Sequence, residues 1–314
     1  MTARLWISVA LSILCTMPIM DKVLASEGAK STYLLGVSGP QAGMVPPAPG
    51  FYATNIVYIY SGGVDGNVTI PRAGTLAIGI DVNLVIEAPM LLWVPKTKVL
   101  GGTFGVFGLL TMGYVDAKTT VGRFSIAQSR FSVGDPQIGT VLGWSSGPLH
   151  WKLGTLLNIP VGQYELGALD NLSFRRWSFD MNGAVTWFDP STGFELSGLA
   201  GVSFNGRNPK TDYTTGTEFH IELSALYHPT KRFQFGLVGY HFEQITGDSG
   251  SGAVLGAFKG RVSAVGFHVG GTIMIGKVPL ILAGRVYREF NAKNRLTGTT
   301  GFLTVTVPLG ALFH

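Results

Sequence analysis

The chain has 314 residues, and 44 of them are glycine, about twice the usual share of a globular protein. Only 13% of the residues are charged, and the formal net charge of +5 includes no run of lysine or arginine, which argues against nucleic acid as a partner. Because 46% of the residues are hydrophobic but no apolar run after the first 25 is long enough to span a membrane as a helix, the chain is either a large soluble β protein or a membrane β-barrel.

The first 25 residues are predicted to be a secretory signal peptide. Arg4 precedes an apolar run from Leu5 to about Met20, and compact residues precede a cleavage point after Ala25. The alternative, a membrane anchor, is disfavoured because the run is shorter than the roughly 20 apolar residues that a spanning helix needs. Cys15 is the only cysteine, so the mature chain has none and forms no disulfide.

The next segment, residues 26–50, is rich in glycine and proline and fits no strand pattern. We expect an irregular arm, which is either a loose periplasmic tail or a plug folded into a lumen, and the sequence does not decide between them. The predicted organisation is therefore a signal peptide (1–25), an irregular arm (26–50) and a β-barrel domain (51–314).

Strict alternation is the main signal in the remaining chain. In TLAIGIDVNLVIE, residues 75–87, one face is apolar and the other carries Asp81 and Glu87. The same pattern recurs in RRWSFDMNGAVTW (175–187), in GTEFHIELSALY (216–227) and at the C-terminus. A period of two predicts strands with one apolar face and one mainly polar face.

A membrane barrel explains these strands better than a soluble sandwich does. The segments are about 11–18 residues long, against a usual strand of 5–6 residues. In a barrel the apolar face meets lipid and the polar face lines the lumen. Aromatic residues stand near segment ends, where interfacial girdles lie: Trp93, Trp144, Trp151, Trp177, Trp187, Tyr227 and Phe233.

Short and long connections alternate along the chain, which predicts an all-β, antiparallel up-and-down transmembrane barrel with both ends in the periplasm. The alternative is fourteen strands, in which VGRFSI from the predicted loop 117–133 pairs and extends the barrel. The twelve predicted strands are 51–61, 74–93, 99–116, 134–146, 149–160, 173–188, 193–205, 214–227, 233–246, 258–275, 279–291 and 298–312.

The stretch GDSGSGAVLGAFKGR, residues 247–261, contains the setting of the nucleophilic serine in chymotrypsin-like proteases. Ser249 lacks the remainder of that pattern, because no histidine of the chain stands in an Ala-Ala-His-Cys context. A phosphate loop would need a strand-loop-helix context that ends in Gly-Lys-Ser or Gly-Lys-Thr. We therefore predict an external loop, in which the glycines permit tight turns.

The same stretch, QITGDSGSGAVLGAFKGRV, together with NGRNPKTDYTTGTEFHIE, DPQIGTVLGW and PAPGFYATNIVYIYSG, resembles the outer-membrane family associated with the meta-cleavage pathway of phenol degradation. The resemblance covers about residues 33–312. It implies an outer-membrane barrel that transports aromatic compounds, and it carries over no catalytic residue. One departure from common barrels is the final His314, which makes Phe313 penultimate and leaves the usual assembly signal irregular.

The functional hypothesis is a channel in the outer membrane of a Gram-negative bacterium for passive uptake of small hydrophobic or aromatic molecules. Both signs of charge occur among the inward residues, which favours internal salt bridges and a narrow lumen over an ion filter. The row formed by Glu218, His220 and Glu222 is the first choice for a constriction or solute contact. The lumen-lining candidates are Asp81, Arg176, Asp180, Glu195, Glu218, His220, Glu222, Arg285 and Glu289.

A blander interpretation of these charges is that they hydrogen-bond across a filled interior. No cofactor and no metal site are expected, because only one histidine accompanies Glu218 and Glu222. The expected partners are outer-membrane lipid and lipopolysaccharide, the solute and the barrel-assembly machinery. The external-loop candidates are Gln244, Asp248, Ser249 and Lys259.

Two other function classes stay open. A structural or ligand-binding barrel would have no open pore and would use its external loops for contacts. An outer-membrane lipid hydrolase would need a Ser–His pair on its lipid-facing wall, and none of the six histidines stands in a His-x-Ser-Asn-Gly context.

Overall fold

A computed structural model of the protein describes residues 30–70, 74–253 and 256–312. The predicted signal peptide with Cys15, and the terminal Phe313 and His314, lie outside the described residues. The main elements are twelve strands: β1 (Gly50–Ile70), β2 (Gly74–Val94), β3 (Gly102–Val121), β4 (Phe124–Ser146), β5 (Leu149–Asn158), β6 (Ser178–Asp189), β7 (Phe194–Asn205), β8 (Glu218–Thr230), β9 (Phe233–Gln244), β10 (Arg261–Ile275), β11 (Val278–Lys293) and β12 (Thr297–Pro308).

The twelve strands form one closed antiparallel barrel, as predicted. Each strand pairs with its neighbours in the chain, and β1 closes the sheet by pairing with β2 on one side and β12 on the other. Tyr52, for example, lies opposite Leu92 of β2 and Pro308 of β12. Closure pairs every strand on both sides, as a sheet in lipid requires, although residues 124–136 of β4 extend beyond the end of β5 and pair as a strand only with β3. No helix in the described part of the chain is long and apolar enough to cross a membrane.

The two ends of the barrel differ. The turn end holds Gly50, Pro308 and mostly short turns, including 147–148, 231–232 and 276–277. The loop end holds the longer connections, of which 206–217 contains a two-residue pairing of Arg207–Asn208 with Tyr213–Thr214. The loop end also holds the connections 159–177 and 245–260 and the short turns 122–123 and 294–296.

The prediction that residues 117–133 form an external loop is wrong. β3 continues to Val121 and β4 resumes at Phe124, with these two residues paired, so VGRFSI closes a hairpin between two strands already counted. The fourteen-strand alternative is therefore wrong too. The sequence shows no membrane-strand pattern here because the outer face of this hairpin carries polar residues such as Asp116 and Lys118.

In β6 the alternation has the predicted orientation. Trp177, just before the strand, and Met181 are exposed on the outer face, whereas Ser178, Asp180 and Thr186 are buried inside. The outer face of β8 and β12 is apolar in the same way, with Leu223 and Leu303 exposed. An apolar outer belt of this kind is the lipid-facing surface of a membrane barrel.

In β2 the orientation is reversed, and the prediction that Asp81 and Glu87 face the lumen is wrong. Both residues lie on the exposed outer face, in the same alternation as Trp93. The apolar face of β2 points inward because it packs against the adjoining strand and Leu172 from connection 159–177. This inner cluster comprises Val82, Leu84, Ile86, Val115, Ala117 and Leu172.

Candidate functional site: the barrel lumen

The described residues that precede β1 run through the inside of the barrel, and we call residues 30–49 the lumenal segment. At the loop end, Lys30 Nζ donates to the carbonyl of Asn171 at 2.5 Å. Near the turn end, Gly43 N donates to Thr186 Oγ1 at 2.9 Å. Of the two expectations for the arm 26–50, a tail or a plug, the contacts of residues 30–43 place this part of the arm inside the lumen, whereas residues 47–49 are exposed.

The lumenal segment follows β8 along the barrel. The Tyr33 ring stacks on His220, with ring centroids 3.8 Å apart and an interplanar angle of 17°. Further towards the turn end, Ser224 Oγ donates to the carbonyl of Gly39 at 3.0 Å. Because every second residue of a strand points inward, successive inward residues of β8 meet successive parts of the segment.

A turn in the lumenal segment is held from both sides. Glu222, which has 0% exposure, accepts hydrogen bonds from Gly36 N and Ser38 N at 2.9 Å each. From β11, three strands further round the barrel, Arg285 Nη1 donates to the Gly36 carbonyl at 2.8 Å, and the Tyr287 hydroxyl donates to the same oxygen at 2.9 Å. We call Glu222, Arg285 and Tyr287 the clamp. It satisfies backbone donors and acceptors that would otherwise be buried unpaired.

The clamp requires glycine at position 36. Gly36 has φ = 87°, in the left-handed region that favours glycine. A Cβ atom at this position would also lie 3.0 Å from the Tyr287 ring. The turn therefore approaches β11 more closely than a residue with a side chain allows.

Two further carboxylates are satisfied on the same side of the lumen. Asp180 accepts from Ser203 Oγ at 2.5 Å and lies 2.8 Å from His220 Nε2. Glu195 accepts from the backbone N–H of Gln41 at 2.8 Å. These acids of β6 and β7 therefore fix the inner wall and the lumenal segment together.

The next part of the lumen wall, from β9 round to β1, is aromatic. Glu289 accepts hydrogen bonds from the hydroxyls of Tyr60 at 3.1 Å and Tyr240 at 2.8 Å. The rings of Tyr240 and Tyr287 lie 5.1 Å apart, and Tyr58 lies 5.0 Å from Phe302. We call this surface of β1, β9, β11 and β12 the aromatic face; it comprises Tyr58, Tyr60, Tyr240, Phe242, Tyr287 and Phe302.

The sequence analysis missed most of the aromatic face. Tyr58 and Tyr60 alternate with Val57 and Ile59. Both faces of β1 are therefore apolar, and the sequence shows no alternation of polar and apolar residues there. The seven aromatic residues that the sequence analysis places in the outer girdle include none of this face. The one available signal is Glu289, an acid predicted to face inward that needs donors in the lumen.

Eight of the nine predicted lumen residues do point inward, and Asp81 is the exception. All eight except Arg285, which is half-buried, are at most 7% exposed, so they contact the segment and one another instead of open water. They are Arg176, Asp180, Glu195, Glu218, His220, Glu222, Arg285 and Glu289. Among the described residues, no group of three His, Cys, Asp or Glu side chains could hold a metal ion.

The predicted loop residues have structural contacts at the loop end. Gln244 is the last residue of β9 and is buried, which corrects its assignment to a loop. Asp248 accepts from Gln244 Nε2, the Tyr213 hydroxyl and the Gly216 N–H. Lys259 donates to a backbone carbonyl. The GDSG motif is thus an anchor between connections 206–217 and 245–260.

The exposed tip of this loop pair is also tied. Ser249 is exposed and pairs through its backbone with Thr214. Asp212 accepts hydrogen bonds from the Ser251 hydroxyl and N–H, which lower the pKa of its carboxyl below the ordinary value. The carboxylate also pairs with Arg207 Nε at 2.6 Å. It therefore stays ionised at neutral pH and links the two connections.

Comparison with known proteins gives a family and several structural likenesses. The family model described as "Putative MetA-pathway of phenol degradation" matches residues 64–305. The COG4313 outer membrane channel from Pseudomonas putida F1 is similar in structure, with a TM-score of 0.66 and 13% identity over 85% of this chain and 98% of that chain. At this identity the likeness shows the fold, which is that of an outer-membrane β-barrel.

Two other solved barrels are more distant. OmpT, an outer membrane protein of Vibrio cholerae, gives a TM-score of 0.36 at 10% identity, over 82% of this chain and 96% of that chain. OccK10 from Pseudomonas aeruginosa gives 0.32 at 10% identity, over 82% and 98%. No argument depends on either. No curated protein matches the chain.

Proposed function

Since the chain belongs to the family described as "Putative MetA-pathway of phenol degradation", whose model matches residues 64–305, we propose that it is an outer-membrane channel for passive uptake of small hydrophobic or aromatic molecules. The barrel lies in the outer membrane of a Gram-negative bacterium, among lipid and lipopolysaccharide, after insertion by the barrel-assembly machinery. The proposal assigns no catalytic residue.

The observation that carries this proposal is the division of the lumen into a polar side and an aromatic face. The lumenal segment packs against the aromatic face at Gly36 and Tyr287, so in the open channel it moves off that face, and the solute passes over rings that offer an apolar surface. Glu289, with the hydroxyls of Tyr60 and Tyr240, adds a polar contact for a solute hydroxyl or amide. The combination suits molecules with an aromatic body and a small polar group.

In this channel the acids of β8 control the width of the lumen by holding the lumenal segment. Replacing Glu222 by Gln leaves one carbonyl oxygen to serve two backbone N–H donors, because the other terminal group becomes a donor itself. The segment then moves away from β8. We expect Glu218→Gln with Glu222→Gln to change conductance or ion preference while the barrel keeps its heat-resistant mobility on gels.

The test is single-channel conductance of the refolded, signal-free protein in a planar bilayer, with and without phenol or toluate. We expect steady steps that the aromatic solutes partly block, and altered steps for the double variant. The matched control is Glu243→Gln, which removes a carboxylate that is 53% exposed at the loop end, outside the lumen. If neither the double variant nor the control changes the currents, the β8 acids have a structural role only.

A barrel without an open pore is the second candidate, and the buried clamp favours it. A correctly folded protein that is silent in the bilayer, and silent again after Glu218→Gln with Glu222→Gln, would support this candidate against the channel. Loss of the protein would then leave the uptake of aromatic compounds by cells unchanged.

A lipid hydrolase has one observation in its favour, a Ser–His contact on the outer wall. Ser263 Oγ lies 2.8 Å from His241 Nδ1, and Glu243 lies 3.8 Å from His241 Nε2. Ser263 stands inside a strand that is paired on both sides, so its neighbouring N–H groups serve the sheet and supply no oxyanion donors. Fatty-acid release by the purified protein that Ser263→Ala abolishes would establish the hydrolase.

A further inference from the structure

A group of cations stands on the outer face of the barrel near the loop end. Arg261 opens β10, and Lys293 closes β11 directly opposite it. Arg288 lies on the same outer face of β11, further from the rim. All three side chains are exposed. We call Arg261, Arg288 and Lys293 the basic cluster, and none of them belongs to the lumen or to the contacts that hold the lumenal segment.

A bulge creates the closest pair of the basic cluster. The regular register pairs Ser263 with Phe290 and would bring Ala292 opposite Arg261. The structure instead pairs Arg261 with Lys293, because β11 has an extra residue at this point, and Asn291 has φ = 53°. Bulges commonly re-aim a side chain. Here the bulge replaces a neutral neighbour by a second cation.

Two like charges directly opposite each other on one face destabilise a sheet. Among the described residues, no carboxylate lies within 4.0 Å of any member of the basic cluster. Arg288 donates to Thr299 Oγ1 at 3.0 Å, and Arg261 reaches only the Asn291 side chain at 3.5 Å. Glu243 stands opposite Arg261 in the register but lies closer to His241. The repulsion therefore calls for an anion from outside the chain.

The surface below the basic cluster is apolar. Val265, Phe267 and Val286 follow on the outer faces of β10 and β11, and each is about half exposed. A row of cations at the rim with an apolar wall beneath it has the chemistry of a lipid-binding surface, in which the head group is anionic and the acyl chains lie along the strands. A free inorganic anion would make no use of the apolar wall.

We propose that the basic cluster binds the phosphate of an outer-leaflet lipid, with lipid A as the occupant. The Arg261 guanidinium and the Lys293 ammonium together neutralise the phosphate, and Arg288 contacts the same or a second phosphate closer to the bilayer. Guanidinium groups suit this because they donate two parallel hydrogen bonds to phosphate. The site requires the barrel to lie in the outer membrane but does not require an open pore.

The test compares lipid A with chemically dephosphorylated lipid A, each added to the detergent-purified mature protein and quantified by native mass spectrometry. We expect tight retention of lipid A and at least about tenfold weaker retention of the dephosphorylated form, as for the loss of a hydrogen bond to a charged group. Equal retention of the two lipids would overturn the proposal. Inorganic phosphate that competes as well as lipid A does would overturn the assignment to a lipid.

The variants are Arg261→Gln with Lys293→Gln, and separately Arg288→Gln. The matched control, Lys231→Gln with Arg232→Gln, removes two exposed cations at the turn end, so the net charge changes equally. We expect the first pair to lower lipid A retention at least about tenfold and the control to leave it unchanged. Heat-modifiable mobility verifies folding of each variant. Equal losses in the pair and the control would show a general charge effect and would contradict a site.

Discussion

Two parts of the barrel wall have opposite polarity on their inner and outer faces. The first wall, β1–β3, has strands of 20–21 residues, an apolar inner face and a partly polar outer face. The second wall, β6–β8, has strands of 12–13 residues, a polar inner face and an apolar outer face. The difference teaches that the polarity of a strand face follows what that face contacts, and not whether it points into the barrel.

The inner contacts differ between the two walls. The second wall meets the backbone of the lumenal segment, whose N–H groups need acceptors, and Glu222 and Glu195 supply them. The inner face of the first wall meets Leu172 of connection 159–177, which needs apolar neighbours. Burial of backbone polar groups thus calls for acids on one side, and burial of a leucine calls for aliphatic residues on the other.

The outer face of the first wall contacts different surroundings at different heights above the turn end. Asn83 lies ten residues beyond Trp93 along β2. At about 3.3 Å per residue and a tilt of about 40°, it stands about 25 Å above Trp93, which is the full height of an apolar belt. Asp81 stands higher still. The first wall therefore extends beyond the lipid, and water can solvate its outer face there.

The largest effect is expected from removing the acid that holds the lumenal segment. Glu222→Leu leaves the N–H groups of Gly36 and Ser38 buried without an acceptor, at a cost of about 3 kcal/mol for the two. We expect the segment to detach from β8 and residues 34–40 to lose their protection in hydrogen exchange, while the barrel strands keep theirs.

The control for this variant comes from the first wall. Ile86→Ala removes inner apolar volume next to Val115 and Leu172, away from the lumenal segment. It should lower the stability of the first wall without changing exchange at residues 34–40. Unchanged protection of residues 34–40 in Glu222→Leu would show that the clamp is not what holds the segment.

A smaller effect tests the outer faces. Leu223 is 56% exposed in the middle of β8, and Leu223→Glu should destabilise the barrel in lipid by about 2 kcal/mol. Glu87 is exposed on β2, six residues from Trp93 and so about 15 Å above it, within the belt. Glu87→Leu should therefore stabilise the barrel by about 1 kcal/mol.

Both values come from denaturant unfolding in lipid vesicles. The two variants make opposite changes on matched outer positions, so they should shift the unfolding midpoint in opposite directions. A loss of stability in Glu87→Leu would mean that this carboxylate has a partner at the outer face. The outer face of the first wall would then be polar because of that partner and not because of its height.

The same contrast between the two walls explains which features of the barrel could be predicted from the sequence. The strand count and the orientation of β6 and β8 were predictable because each of these strands has one clearly polar face, as Asp180 and Glu222 show. The orientation of β2 was not, since its contact with Leu172 arises from a connection far away in the chain. The aromatic face was hidden because Tyr58 and Tyr60 alternate with apolar residues.

The position of the lumenal segment was also beyond the sequence. The contacts that hold its turn are made by the backbone N–H and carbonyl groups of residues 36–38, and backbone groups leave no residue pattern. What the sequence did contain was the complementary half, the inward acids, which were assigned to a constriction. Identifying the acceptors without the donors predicts a polar interior but not what fills it.

The smallest effect is the sharpest test of the height argument. Asp81 and Glu87 are acids on the same outer face of β2, separated by six residues, and only Glu87 lies within the belt. Asp81→Leu should change the unfolding free energy by less than about 0.5 kcal/mol, as an exposed substitution in water does. Stabilisation equal to that of Glu87→Leu would place Asp81 in lipid, and the first wall would then cross a thicker belt than the second.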